Sequence, residues 1–237
     1  MERRDSLWEN GPCFYYDTEL FAPGTDSFAL GYFAKPKRGD RVCDLGSGTG
    51  LLGVLLSARE PTLTLTLVEW QVQPMALAEK TYAENGYTAQ TVFRCGDLRL
   101  RENLPAAGSV DYVVCNPPYF RGGSGESAAT AARKIAREEV GCTIDDICTA
   151  AAYVLRWGGR MAMVYRQERL VDALVTMRKC GIEPKRLRFL HKDAIHTNGI
   201  FLIEGIRGGK PQLTIEPPLV IDSAEWDAVY FRKRKDV

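Results

Sequence analysis

No two of the seven cysteines in this 237-residue chain stand in a Cys-x-x-Cys spacing. That excludes the paired-cysteine zinc and redox motifs, and an odd, unspaced set points to a reducing compartment. Cys43, Cys95 and Cys115 each close an apolar, strand-like run, where a buried thiol serves as a small hydrophobe. No metal is expected. Charge of one sign is also lacking: 31 Lys and Arg face 30 Asp and Glu, a net charge of +1. Attraction to polyanions is therefore weak overall, and any nucleic-acid contact has to come from local patches. The opening residues, Met1-Glu2-Arg3-Arg4-Asp5, lead into no apolar run, so no signal peptide is expected. No stretch is long enough to cross a bilayer, and there is neither an internal repeat nor a low-complexity linker. The expectation is a soluble, cytoplasmic, monomeric protein of one domain. It divides into an extension (1–38), a core (39–210) and a tail (211–237).

What is present is an alternation of strand and helix patterns. Residues 13–38 are aromatic and turn-rich and predict a short hairpin, then a helix capped by Thr25 or Asp26. Strands are expected at 41–45, 63–69, 91–95, 110–115, 160–165, 185–190 and 199–206. Leu51, Leu52, Val54, Leu55 and Ala58 recur at helical spacing. A second helix is expected over 73–85, with Pro74 in its first turn and Asn85-Gly86 as its stop. Thr143-x-x-Asp146 is a capping-box-like start for a third, which should run to Gly158-Gly159. A fourth should run from 167 to Cys180-Gly181. Such alternation predicts an α/β, Rossmann-like, doubly wound and mostly parallel seven-stranded sheet with a short N-terminal extension. Ligands of such sheets bind beyond the carboxyl ends of the strands.

Two motifs carry chemistry. In Asp44-Leu45-Gly46-Ser47-Gly48-Thr49-Gly50, three glycines let backbone approach a nucleotide where a β-carbon would block it. Glu69 ends the next strand, where an acid accepts hydrogen bonds from ribose hydroxyls. Asp97 ends the following strand and suits an adenine amino group, while Asp44 suits a positively charged end of the ligand. Trp70 and Leu98, next to the two acids, complete this expected cofactor set with Ser47. Both NAD and S-adenosylmethionine use such a turn. The dinucleotide fingerprint, however, places its third glycine where Leu51 stands.

The second motif is Asn116-Pro117-Pro118-Tyr119. An exocyclic amine conjugated to a ring is a poor nucleophile, because its lone pair is delocalised. Two acceptors aimed at its N–H bonds localise that pair. Asn116 offers its side-chain oxygen and Pro117 its carbonyl, and proline adds no competing donor. Tyr119 can stack on the acceptor. Alignment then matters more than acid–base help, so His191 and His196 are read as surface or structural. Together the motifs point to methyl transfer onto a planar amide-like or aromatic nitrogen. Asn116 stands in both the catalytic and the cofactor set.

On these residues the chain resembles class I S-adenosylmethionine-dependent methyltransferases of the small-domain, N6-adenine type, and among them the bacterial tRNA1(Val) adenine-37 N6-methyltransferase group. The likeness runs from about Gly24 to about Leu219 and includes Gly24-Thr25-Asp26, Ala136-Arg137-Glu138-Glu139, Arg169-Leu170-x-Asp172 and Gly208-Gly209-Lys210-Pro211. It implies S-adenosylmethionine as cofactor, an adenine of RNA (A37 of a tRNA anticodon loop) as acceptor, and a role for Thr25 and Asp26 in closing the cofactor pocket. Candidate RNA contacts are the basic cluster Lys185–Lys192, the tail Arg232-Lys233-Arg234-Lys235, and Arg121, Arg133, Lys134 and Arg137, with Gly122–Gly125 as a loop beside Tyr119. A glutamine amide presents the same N–H pair, so protein glutamine N5-methylation stays open. RNA guanine N2-methylation, a cofactor-sensing RNA-binding protein and a nicotinamide oxidoreductase stay open beside it.

Overall fold

The computed structural model describes residues 1–19, 23–117 and 142–231. A hairpin of β1 (Glu2–Ser6) and β2 (Cys13–Asp17) precedes helix α1 (Thr25–Phe33). Then come β3 (Arg41–Leu45), α2 (Leu51–Arg59), β4 (Thr64–Glu69), α3 (Val72–Glu84), β5 (Thr91–Cys95) and β6 (Val110–Cys115). The second half holds α4 (Ile144–Val154), β7 (Leu155–Arg166), α5 (Leu170–Lys179), β8 (Ile182–His191) and β9 (Thr197–Arg207). Two short strands, β10 (Thr214–Ile215) and β11 (Leu219–Val220), and helix α6 (Ala224–Val229) follow.

The sheet runs β10-β8-β9-β7-β6-β3-β4-β5, with β11 also paired to β8. β3, β4, β5, β6 and β7 are mutually parallel, and β9 is antiparallel to both β7 and β8. The seven long strands are those expected; β10 and β11 add two residues each. The chain steps outward from β3 through β4 to β5, then returns to the other side of β3 as β6. The order therefore reverses between β3 and β6, and open α/β sheets hold their ligands beyond the carboxyl ends at such a reversal. One face packs on α1, α2 and α3 through Phe28, Leu30, Leu52, Leu55, Leu67 and Tyr82. The other packs on α4 and α5 through Ile147, Ala151, Val154, Ala173 and Met177.

Local chemistry explains most boundaries. Thr143 caps α4 in a full capping box with Asp146, and Asn85 with left-handed Gly86 stops α3. Other expectations need correction. The cap of α1 is Gly24, without a side-chain bond, and Thr25 is already helical. The hairpin starts at Glu2, ahead of the stretch expected to hold it. Helix α4 ends at Val154 rather than at Gly158-Gly159. Leu155 already pairs with Val110, and the register then slips before Arg160 pairs with Tyr112. Gly158, at φ +76°, and Gly159, packed close to the Arg156 and Asp111 carbonyls, form that bulge rather than a helix stop. Cys95 is exposed, unlike Cys43 and Cys115. The tail contributes α6, whose Tyr230 stacks on Phe28 of α1 at 4.4 Å.

Candidate functional site

Strand register brings the motif residues to one edge. Asp44 pairs with Val114, so Gly46 and Asn116 each lie two residues beyond that rung on neighbouring strands. Leu45 pairs with Val68, which sets Glu69 abreast of Gly46; Glu69 pairs with Cys95, two residues before Asp97. Asn116, the glycine turn, Glu69 and Asp97 thus follow one another across four adjacent strands.

The glycine turn is held from below. Gly46 and Ser47 N–H groups donate to the Val68 carbonyl at 2.8 and 3.0 Å, and Gly48 N–H donates to Glu69 Oε2 at 2.8 Å. Glu69 Oε1 accepts from Gln71 N–H at 2.9 Å, tying the turn to the start of α3. Burial pushes the Glu69 carboxyl up. The glycines divide into two kinds. Gly46 and Gly48 have φ of +73° and +54°, and a β-carbon on either would meet nothing within 4 Å, so they border open space. Gly50, at φ +79°, is pressed against the core: a β-carbon there would lie 2.8 Å from Tyr82 Cε2, whose hydroxyl donates to the Gly50 carbonyl. Gly50→Ala should therefore cost about 2–4 kcal/mol, from left-handed strain plus overpacking. Gly48→Ala should cost about 1 kcal/mol in stability but fill the open turn. Urea unfolding and cofactor titration of both variants separate the two roles; equal stability losses would refute the division.

Asp44 is the least settled group. It is 1% exposed, and neither carboxylate oxygen has a hydrogen-bond partner among the described residues. Burial, then the nearby Glu69 charge, raises its pKa to about 8. Ser47 Oγ and Thr49 Oγ1 in the same turn are also buried and without a partner among the described residues. Unsatisfied buried polar atoms beside an open glycine turn are what a polar, cation-bearing ligand satisfies.

Asp97 reaches the expected edge but is engaged: its carboxylate accepts from the Arg99 side chain at 2.6 Å and from Arg99 N–H at 2.9 Å, and that side chain holds its pKa down. Asn103 donates to the Asp97 carbonyl and packs where a β-carbon on Gly96 would sit. Trp70 is half exposed at the same edge, and Leu98 packs against the second core cluster. Thr25 and Asp26 open α1, two residues and one residue before Ser27. Asn116 Nδ2 donates to Ser27 Oγ at 2.9 Å, a contact across 89 residues of chain that spacing could not reveal. Asn116 Oδ1 accepts from no described residue. Pro117 is buried beside it. Pro118, Tyr119, the Gly122–Gly125 loop and the basic residues Arg121, Arg133, Lys134 and Arg137 lie outside the described residues, as does Arg232–Lys235.

The basic cluster on β8 does not form the free surface expected of it. Arg188, 8% exposed, makes two 2.7 Å bonds to Glu225 and a third to the Pro217 carbonyl. Arg186 bonds Glu216 at 2.6 Å and Glu204 at 3.2 Å, and Lys185 bonds the Lys210 carbonyl. These cations fasten the tail to the sheet. His196 pairs with Asp193 at the exposed end of the β8–β9 loop.

Residues 23–180, which carry the glycine turn, Glu69 and Asn116, match a family model described as the methyltransferase small domain. The chain belongs to that family. Its cofactor is S-adenosylmethionine. Over 173 residues the chain is 30% identical to the tRNA1(Val) (adenine(37)-N6)-methyltransferase of Tolumonas auensis, covering 69% of this chain and 70% of that one. A Vibrio vulnificus protein of the same name is 32% identical over 113 residues, 48% of this chain and 45% of that one. The chain thus spans about half the length of the Vibrio relative. A predicted O-methyltransferase from Agrobacterium tumefaciens shares the fold at TM-score 0.71, with 18% identity over 90% of this chain and all of that one.

Proposed function

We propose that this methyltransferase places a methyl group on the exocyclic N6 of an adenine in RNA, at A37 of a tRNA anticodon loop. The observation that carries the reading is Asn116, set beside the glycine turn at the carboxyl edge of the sheet, with its amide nitrogen bonded to Ser27 and no described residue donating to its oxygen. The names of the Tolumonas and Vibrio relatives support tRNA as the substrate.

Gly46, Gly48, Ser47 and Asp44 are the residues assigned to hold the methionine end of the cofactor. Glu69 is assigned to its ribose, and Asp97 with Trp70 and Leu98 to its adenine. When bound, S-adenosylmethionine supplies an electrophilic methyl on a positively charged sulfur. Asn116 Oδ1 accepts one N–H of the substrate amine and the Pro117 carbonyl the other, drawing the nitrogen out of conjugation. Holding that nitrogen in line is the main source of acceleration. The surplus proton leaves after transfer, with no side-chain base required. An anticodon-loop base suits the site because an unpaired base costs little to extrude.

The test is nucleoside mass spectrometry after incubating the protein with S-adenosylmethionine and tRNA lacking the modification. New N6-methyladenosine is the expected result. N2-methylguanosine, or methylation of a protein glutamine instead, would replace the acceptor. No product despite confirmed cofactor binding would sink the RNA assignment.

A further inference from the structure

Helix α1 presents a run of buried residues, Ser27, Phe28, Ala29, Leu30 and Gly31, in which Ser27 is the polar member. Ser27 is 3% exposed. A hydroxyl so placed is costly unless it is bonded, and its side-chain partner among the described residues is Asn116 Nδ2 at 2.9 Å. The helix beneath it is fixed. A β-carbon on Gly31 would already touch Leu55 of α2 at 3.0 Å, and Phe28 stacks on Tyr230 of α6 at 4.4 Å. Ser27 N–H donates back to the Gly24 carbonyl at 3.1 Å, closing the first turn. Ser27 Oγ therefore sits at a defined point facing the end of β6.

The two ends of a primary amide have opposite chemistry: Oδ1 only accepts and Nδ2 only donates. Rotation by half a turn exchanges them with almost no change of shape. For an acceptor nitrogen carrying two hydrogens, only the oxygen end is productive. The nitrogen end would set donor against donor. We propose that Ser27 is a positioning residue that holds the Asn116 amide by its nitrogen end, its hydroxyl acting as the acceptor, and so leaves the oxygen end for the substrate amine. This rests on the assignment of Asn116 to the substrate amine. The hydroxyl takes one Nδ2 hydrogen, which turns Oδ1 away from α1. Ser27 itself touches no reacting atom.

The test compares Ser27→Ala with the unaltered enzyme. Turnover (kcat) should fall about tenfold, the scale of one lost orienting hydrogen bond. KM for RNA and the Kd for S-adenosylhomocysteine should stay within about twofold. Asn116→Asp supplies the control that a merely structural role would fail. A carboxylate accepts at both ends, so in that background Ser27→Ala should change kcat by less than about twofold. Where Asn116→Asp is too slow to assay, the Asn116 side-chain amide is read directly by 15N NMR. One Nδ2 proton should exchange slowly in the unaltered protein and rapidly in Ser27→Ala. Undiminished kcat in Ser27→Ala, an equal loss in the Asn116→Asp background, or unchanged amide exchange would overturn the proposal. Retained turnover in Asn116→Ala would instead overturn the reading beneath it, so the two failures are distinguishable.

Discussion

Asn116→Ala should lower kcat by about a hundred- to a thousandfold while leaving the Kd for S-adenosylhomocysteine within about fivefold, by analogy with loss of a preorganised transition-state contact. The asymmetry follows from where the parts are built. The glycine turn hangs from the Val68 carbonyl and Glu69, on β4, and its packing glycine rests on Tyr82 of α3. None of these supports passes through Asn116, which is carried by β6 and oriented from α1. Removing its side chain deletes one of two acceptors for the substrate amine, and the amine relaxes toward conjugation. Isothermal titration and single-turnover methylation separate the two readouts. Turnover within tenfold of the unaltered enzyme would refute the amide mechanism. A parallel collapse of cofactor affinity would show instead that Asn116 supports the cofactor.

The parts legible in the sequence are those with strong local signals. β3, β5 and β6 begin and end where the residue pattern places them, because each is an apolar or β-branched run bounded by turn residues. The α4 capping box and the Gly86 stop are likewise local. The end of α4 was illegible because Leu155 continues the helical apolar face and is also the first strand residue. Two-residue strands such as β10 and β11 carry no periodicity to read. Charge counting misjudged β8 for a related reason. Arg186 and Arg188 lie two apart on a strand, and their acidic partners Glu204, Glu216 and Glu225 come from β9 and the tail. From the sequence Glu69 reads as a ligand contact alone. Its bond to Gly48, like that of Ser27 to Asn116, spans residues that only the folded sheet brings together.

Asp44→Asn should make the cofactor-free protein more stable at neutral pH while weakening its hold on S-adenosylmethionine. The Asp44 pKa is about 8, against an ordinary 3.8. The folded state therefore holds a proton that the unfolded chain releases between those values, and stability falls as pH rises through that window. At pH 7 the difference corresponds to about 4 kcal/mol. A buried, unbonded asparagine amide carries a penalty of about 1–3 kcal/mol of its own. The net expectation is a gain of about 1–3 kcal/mol, or about 2–10 °C in Tm for a chain of this size, with a flatter stability profile between pH 5 and pH 8. Binding should show the complementary behaviour. A ligand bearing positive charge favours the ionised carboxylate, so its binding releases a proton. The affinity of the unaltered protein for S-adenosylmethionine should then rise with pH toward about 8, by up to tenfold per unit, and level off above it. In Asp44→Asn that dependence should vanish and affinity should sit about ten- to a hundredfold below the plateau, the loss of one charge-assisted contact. Calorimetric titration in buffers of different ionisation enthalpy measures both the affinity and the released proton. A pH-independent affinity with no proton release would mean that Asp44 stays neutral in the complex and that its burial serves the fold alone.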